Sequence, residues 1–109
     1  MPQIRIRGVD QQKALVGSGE LLDSLAVLLA SPRADFTLEL VQSTFIDNGN
    51  IREGYPFVEV LWFDRGLEKQ DATAKLITDF VHGLGYSSVD IWFTQLQHRN
   101  YYENGSHFG

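Results

Sequence analysis

Met1-Pro2-Gln3-Ile4-Arg5-Ile6-Arg7-Gly8-Val9 sets a proline directly behind the initiator methionine and runs it into an alternating strand. Pro2, Ile4 and Ile6 fall on one face and Gln3, Arg5 and Arg7 on the other, the two-residue period of a half-buried β-strand, and Gly8 ends it. If Met1 is removed, Pro2 becomes the amino terminus and its nitrogen is a secondary amine instead of an amide. Such an amine acts as a base near neutral pH when apolar surroundings and nearby cations disfavour its protonated form. The plainer role is to open an edge or first strand, where a missing N–H costs nothing.

Outward from this strand, Leu15, Leu22, Leu25, Ala26 and Leu29 recur at helical spacing, with Asp10 as N-cap and Ser31-Pro32 as the stop. Gly17-Ser18-Gly19 weakens that helix, since each glycine costs about 1 kcal/mol against alanine. It predicts either a close packing contact or a helix that restarts near Ser18. A second strand follows, with Phe36, Leu38 and Leu40 on one face and Thr37, Glu39, Val41 and Ser43 on the other, then a turn at Asp47-Asn48-Gly49. Pro56 to Phe63 reads as a third strand. Glu68 to about Leu84 reads as a second helix, with Ala72, Leu76, Ile77, Phe80, Val81 and Leu84 inward and Gly83 or Gly85 at its end. Ser88 to Gln95 reads as the fourth strand, and Asn100 to Gly105 as another turn.

Laid side by side, residues 2–54 and 56–109 agree: a strand opened by proline (Pro2, Pro56), a helix, a strand, then an aromatic residue and an acidic-Asn-Gly turn. This is a duplicated β-α-β unit in one domain spanning 1–109. Right-handed crossovers then put both helices on one face of a four-stranded mixed sheet, an α+β two-layer fold. The uncovered face would carry Arg5, Arg7, Thr37, Glu39, Asp90 and Trp92, plus Glu59 or Trp62 according to the third strand's register. It is either solvated or a subunit interface with charges paired across sheets.

Composition narrows the function classes. A net charge of −5 with nine dispersed basic residues opposes nucleic-acid binding, and the absence of cysteine excludes disulfides, thiolate metal sites and cysteine nucleophiles. No apolar run is long enough to cross a bilayer, so a cytoplasmic protein without membrane partners is expected. His82, His98 and His107 have no metal-ligand spacing, and Ser18 lies in a helical pattern where a nucleophile elbow would need a preceding strand.

A proline opening the first strand of a duplicated β-α-β domain resembles the tautomerase superfamily of 4-oxalocrotonate tautomerase and macrophage migration inhibitory factor. The tail Tyr101-Tyr102-Glu103-Asn104-Gly105-Ser106-His107-Phe108 looks like that of the inhibitory-factor branch, and Val58 to Gly66 like a bacterial branch of the superfamily. The resemblance implies a homotrimer whose sheets form a central barrel, with a cofactor-free site at each subunit boundary. There Pro2 is the general base for keto–enol proton transfer on a small anionic carbonyl substrate. It further implies Arg33 as a carboxylate-binding cation, Phe36 and Trp62 as pocket walls, Asp90 and Trp92 donated by a neighbouring subunit, and Tyr102 and Phe108 in an aromatic tail. Two departures stand out. Gly8-Val9-Asp10 replaces an arginine of 4-oxalocrotonate tautomerase, and Asp90 replaces a tyrosine donor. Arg5 and Arg7 are expected to pair with barrel-face carboxylates such as Glu39 and Asp90. The competing expectation is a noncatalytic small-ligand-binding or assembly module on the same fold.

Overall fold

The computed structural model describes residues 2–109; the fate of Met1, on which the amine depends, lies outside the described residues. Strands β1 (Gln3–Arg7), β2 (Thr37–Val41), β5 (Phe57–Trp62) and β6 (Asp90–Gln95) form one sheet in the order β2-β1-β5-β6. The two outer pairs are parallel and the central pair, β1 with β5, is antiparallel. Helices α1 (Gln11–Leu29) and α2 (Leu67–Gly83) make the crossovers. They cover the face that carries Ile4, Ile6, Val58, Val60 and Trp62, all buried against Leu21, Leu25, Leu29, Ile77 and Val81. The result is the four-stranded α+β two-layer fold expected from the repeat.

Local signals act as their chemistry dictates, with informative exceptions. Asp10 caps α1, its carboxylate accepting from the Lys13 N–H at 3.1 Å. α1 runs unbroken through Gly17-Ser18-Gly19, and a Cβ on Gly17 would lie 2.8 Å from the Phe80 ring, so the glycine serves close packing of α1 on α2. Leu15, expected inward, is 57% exposed, while Ala14 and Leu21 are buried. The glycines had obscured the phase of the helix. Thr73 likewise takes the inward place expected of Ala72.

The two Asn-Gly turns are the tips of short hairpins rather than simple turns. β3 (Phe45–Asp47) pairs with β4 (Asn50–Arg52), and β7 (Tyr102–Glu103) with β8 (Ser106–His107). At Asn48-Gly49 and Asn104-Gly105 both central residues have positive φ, the turn whose twist matches its strands. Each half is therefore strand, helix, strand, hairpin.

Register settles the open sheet face. Arg5 stands between Glu39 and Glu59 and bonds both, at 3.0 and 3.5 Å. Glu59, not Trp62, joins this face. Asp90 is not a partner of Arg5 or Arg7; it accepts from the Tyr55 hydroxyl at 3.2 Å, and the Arg7 guanidinium lies over the Phe57 ring at 4.5 Å.

At the end of β1, Gly8 (φ +79°) turns the chain where a Cβ would fall 2.1 Å from the Tyr55 carbonyl oxygen. A left-handed conformation and a backbone clash act together here. Gly8→Ala should therefore cost at least about 3 kcal/mol in urea unfolding; a loss under about 1 kcal/mol would contradict this placement.

Candidate active site

Pro2 is fully buried at the head of β1, and its carbonyl accepts the Thr37 N–H at 3.3 Å. Its position follows from pairing. Gln3 lies beside Thr37 on one side and Leu61 on the other, so one step back Pro2 falls between Phe36 and Trp62. Pro2 shares the helix-facing side with Ile4, as do Phe36 and Trp62, which are 6% and 0% exposed. Cross-strand neighbours on one face stand about 5 Å apart. A free amine at this spot would be flanked by two aromatic side chains, an environment that disfavours its protonated form.

Two arginines belong to this end of the sheet. Arg33 lies in a 3-10 turn (Arg33–Asp35) leading into Phe36, but its Nε donates to Asp23 on α1 at 2.7 Å, so its guanidinium is turned back along that helix. Arg65 follows β5, and its Nη1 donates to the Leu29 carbonyl at the end of α1, 3.3 Å away. Since α1 lies over β1 and β2 while Arg65 leaves from β5, its side chain bridges the seam above the start of β1. Lys69 reaches the neighbouring Leu28 carbonyl at 3.0 Å. α1 has no basic residue in its own last turn, and these two cations complement its negative end from outside.

The open side of the same end is closed by an aromatic cluster. Phe63 stacks on His98 (centroids 4.0 Å apart, planes 11°) and meets Tyr101 and Phe108 at 5.3 and 5.7 Å. The Phe108 N–H donates to the carbonyls of His98 and Tyr101, both at 3.1 Å, and Gln3 Nε2 lies 3.4 Å from the Tyr101 hydroxyl, beside Pro2.

Of the expected site residues, the structure thus brings Phe36, Trp62 and Phe108 to the Pro2 end, together with Arg33, whose guanidinium is engaged by Asp23. Trp62 is a core side chain rather than an open wall, tilted against Phe93 at 5.0 Å. Tyr102 projects from β7, its hydroxyl accepting from Arg99 at 2.6 Å. Asp90 begins β6 at the far end of the sheet and Trp92 stands mid-strand on the open face, so neither meets Pro2 of its own chain. Phe63, Arg65, His98 and Tyr101 were missed. Phe63 continues the outward alternation of Glu59 and Leu61, a signal that the sequence did carry.

Among the described residues, no cluster of metal-ligating side chains is present and no helix is long and apolar enough to cross a membrane. The structural neighbours of this chain are members of the tautomerase superfamily. The chain belongs to the family described as Domain of unknown function (DUF1904), whose model matches residues 1–107. It is similar to a member of that family from Sebaldella termitidis ATCC 33386, at 39% identity over 99% of this chain and 100% of that one, with a TM-score of 0.91. A protein from Vibrio cholerae O1 biovar eltor is 37% identical over 98% of this chain and 87% of its own, with a TM-score of 0.87. A macrophage migration inhibitory factor homologue from Prochlorococcus marinus is 25% identical over 98% and 99%, with a TM-score of 0.77. No functionally curated protein matches the chain.

Because Phe63 is the ring on which His98, Tyr101 and Phe108 converge, Phe63→Ala should release the tail as a unit. Limited proteolysis should then cut within residues 97–109 many times faster than in the parent, with about 2–3 kcal/mol of stability lost. Unchanged protection of the tail would show that other contacts hold it.

Proposed function

We propose that this protein is a cofactor-independent tautomerase with Pro2, freed by removal of Met1, as its general base. The observation that carries this reading is the burial of Pro2 between Phe36 and Trp62. The free nitrogen takes the proton from the carbon next to the substrate carbonyl, that C–H electron pair becomes the enol double bond, and the carbonyl electrons move to oxygen. Returning the proton to oxygen completes the keto–enol exchange. The substrate is a small anionic carbonyl compound, held by Arg65 and, once it leaves Asp23, by Arg33; a guanidinium meets a carboxylate through two parallel hydrogen bonds.

The working unit in this reading is a homotrimer. Supporting it, the open sheet face presents Trp92, 62% exposed, among Arg5, Arg7, Glu39, Glu59 and Asp90, a set of both signs able to complement a second copy. A neighbouring copy is also the one source from which Asp90 and Trp92 can reach Pro2.

Pro2→Ala should lower kcat/KM for phenylpyruvate enolisation by about 10²-fold or more with the melting temperature little changed. Full activity in that variant would remove Pro2 as the base, whereas a parent protein without turnover would leave the noncatalytic binding module as the better reading. Light scattering should give three times the chain mass, and a stable monomer would remove the shared site.

A further inference from the structure

Ile4 and Ile6 on β1 are fully buried beneath the helices, whereas Leu38 and Leu40, which stand beside them in register on β2 and face the same way, are only half-buried. The cause lies in α1. Ala14, Ser18 and Leu22 follow one another at four-residue spacing and form the ridge of that helix turned towards β2. The first two are small, so the first half of α1 leaves the space above the edge strand unfilled. Gly17 makes way for the Phe80 ring, which comes in from α2. What remains is a cavity of about 180 Å³, floored by Ile6, Leu38 and Leu40 and walled by Ala14, Leu22 and Phe80. Leu15, 57% exposed, stands at its mouth. Protein interiors otherwise leave few voids larger than a water molecule.

The lining selects the occupant. Its two polar residues already have partners: Ser18 Oγ donates to the Leu15 carbonyl at 2.9 Å, and Glu39 accepts from Arg5 Nε at 3.0 Å. An entering anion would face Glu39, and an entering cation would have to displace Arg5, each after losing its hydration. A neutral apolar molecule meets neither cost. An apolar cavity of about 150 Å³ stays dry and takes up benzene, and this one is of that order. It is well below the roughly 300 Å³ at which pockets for drug-sized ligands begin, so it has room for one ring and little more.

We propose that this cavity is a ligand site for a single neutral aromatic or alicyclic ring, separate from the chemistry at Pro2. Ile6 lies four residues along β1 from Pro2, about 13 Å at the rise of a strand, so a ring seated here does not touch the proline nitrogen. The inference goes beyond the tautomerase reading and stands or falls without it. It also gives the glycine-serine stretch of α1 a purpose: Gly17 admits Phe80 as a wall, and Ser18 keeps the space open.

The test is a titration of the parent protein with toluene, followed in carbon-13 methyl spectra. Saturable shifts are expected at Ile6, Leu38 and Leu40, with Val58 and Val60, which do not line the cavity, little moved. Benzoate, the same ring carrying a charge, should leave those three residues in place. Ser18→Leu, whose side chain occupies the space, should bind toluene at least about 10-fold more weakly, whereas Ser18→Ala, which removes only the hydroxyl, should bind it as the parent does. Absence of saturable shifts with toluene would overturn the site, and so would equal shifts with benzoate or undiminished binding in Ser18→Leu. Shifts at the same methyls on raising the protein concentration alone, with none from toluene, would assign the cavity to a second copy of the chain and would overturn it too. The toluene and benzoate arms need no variant, so they decide the claim alone if Ser18→Leu does not fold.

Discussion

The antiparallel pairing of β1 with β5 is the constraint on which the site depends. It sets Gln3 opposite Leu61, and thereby Pro2 opposite Trp62 on the helix-facing side. A slip of one residue would turn Pro2, Ile4 and Ile6 to the open face and put Gln3, Arg5 and Arg7 into the core. Burial of two isoleucines against two arginines makes that slip prohibitive, so the same alternation that builds the core also fixes the environment of the proline. The Arg5 bridge to Glu39 and Glu59 marks the correct register on the other side, although at such exposure it contributes little stability.

Duplication gives the fold two similar ends that have diverged. Pro56 opens β5 as Pro2 opens β1, is likewise buried, and accepts the Asp90 N–H at 3.2 Å as Pro2 accepts that of Thr37. Pro56, however, is an internal residue whose nitrogen is an amide without basicity. The surroundings differ as well. The Pro2 end carries Phe63, His98, Tyr101 and Phe108, whereas the cleft of about 350 Å³ beside Gly8 and Gly54, at the Pro56 end, mixes Gln42, Ser43, Thr44, Arg52 and Glu53 with Phe45, Ile51 and Tyr86.

Much of this fold was legible because its signals are local and repeated: period-two strands, a capped helix, Asn-Gly turns and a second half that echoes the first. The phase of α1 was not, because Gly17-Ser18-Gly19 offers no apolar side chain to read and the purpose of Gly17, contact with Phe80, is a tertiary fact. The role of Trp62 was hidden for a related reason: Val58-Glu59-Val60-Leu61-Trp62-Phe63 is apolar on both faces, and only pairing with Gln3 decides which face is buried. Within the candidate site, the chemistry open to Pro2 was visible in the chain itself, whereas Phe36 entered as a pocket wall only through the family resemblance. Arg65 and His98 were not visible, since a bond to the carbonyl of Leu29 and a stack on Phe63 connect residues far apart in sequence.

The central claim is that the nitrogen of Pro2 is a free amine held in an apolar corner. A ¹⁵N NMR titration of proline-labelled protein tests it directly. The account predicts a Pro2 signal with amine character that titrates clearly below the range of about 7.7–8.0 usual for an α-amino group, with activity rising as the nitrogen loses its proton. An amide signal that does not titrate, or an amine that titrates at or above that range, would contradict it.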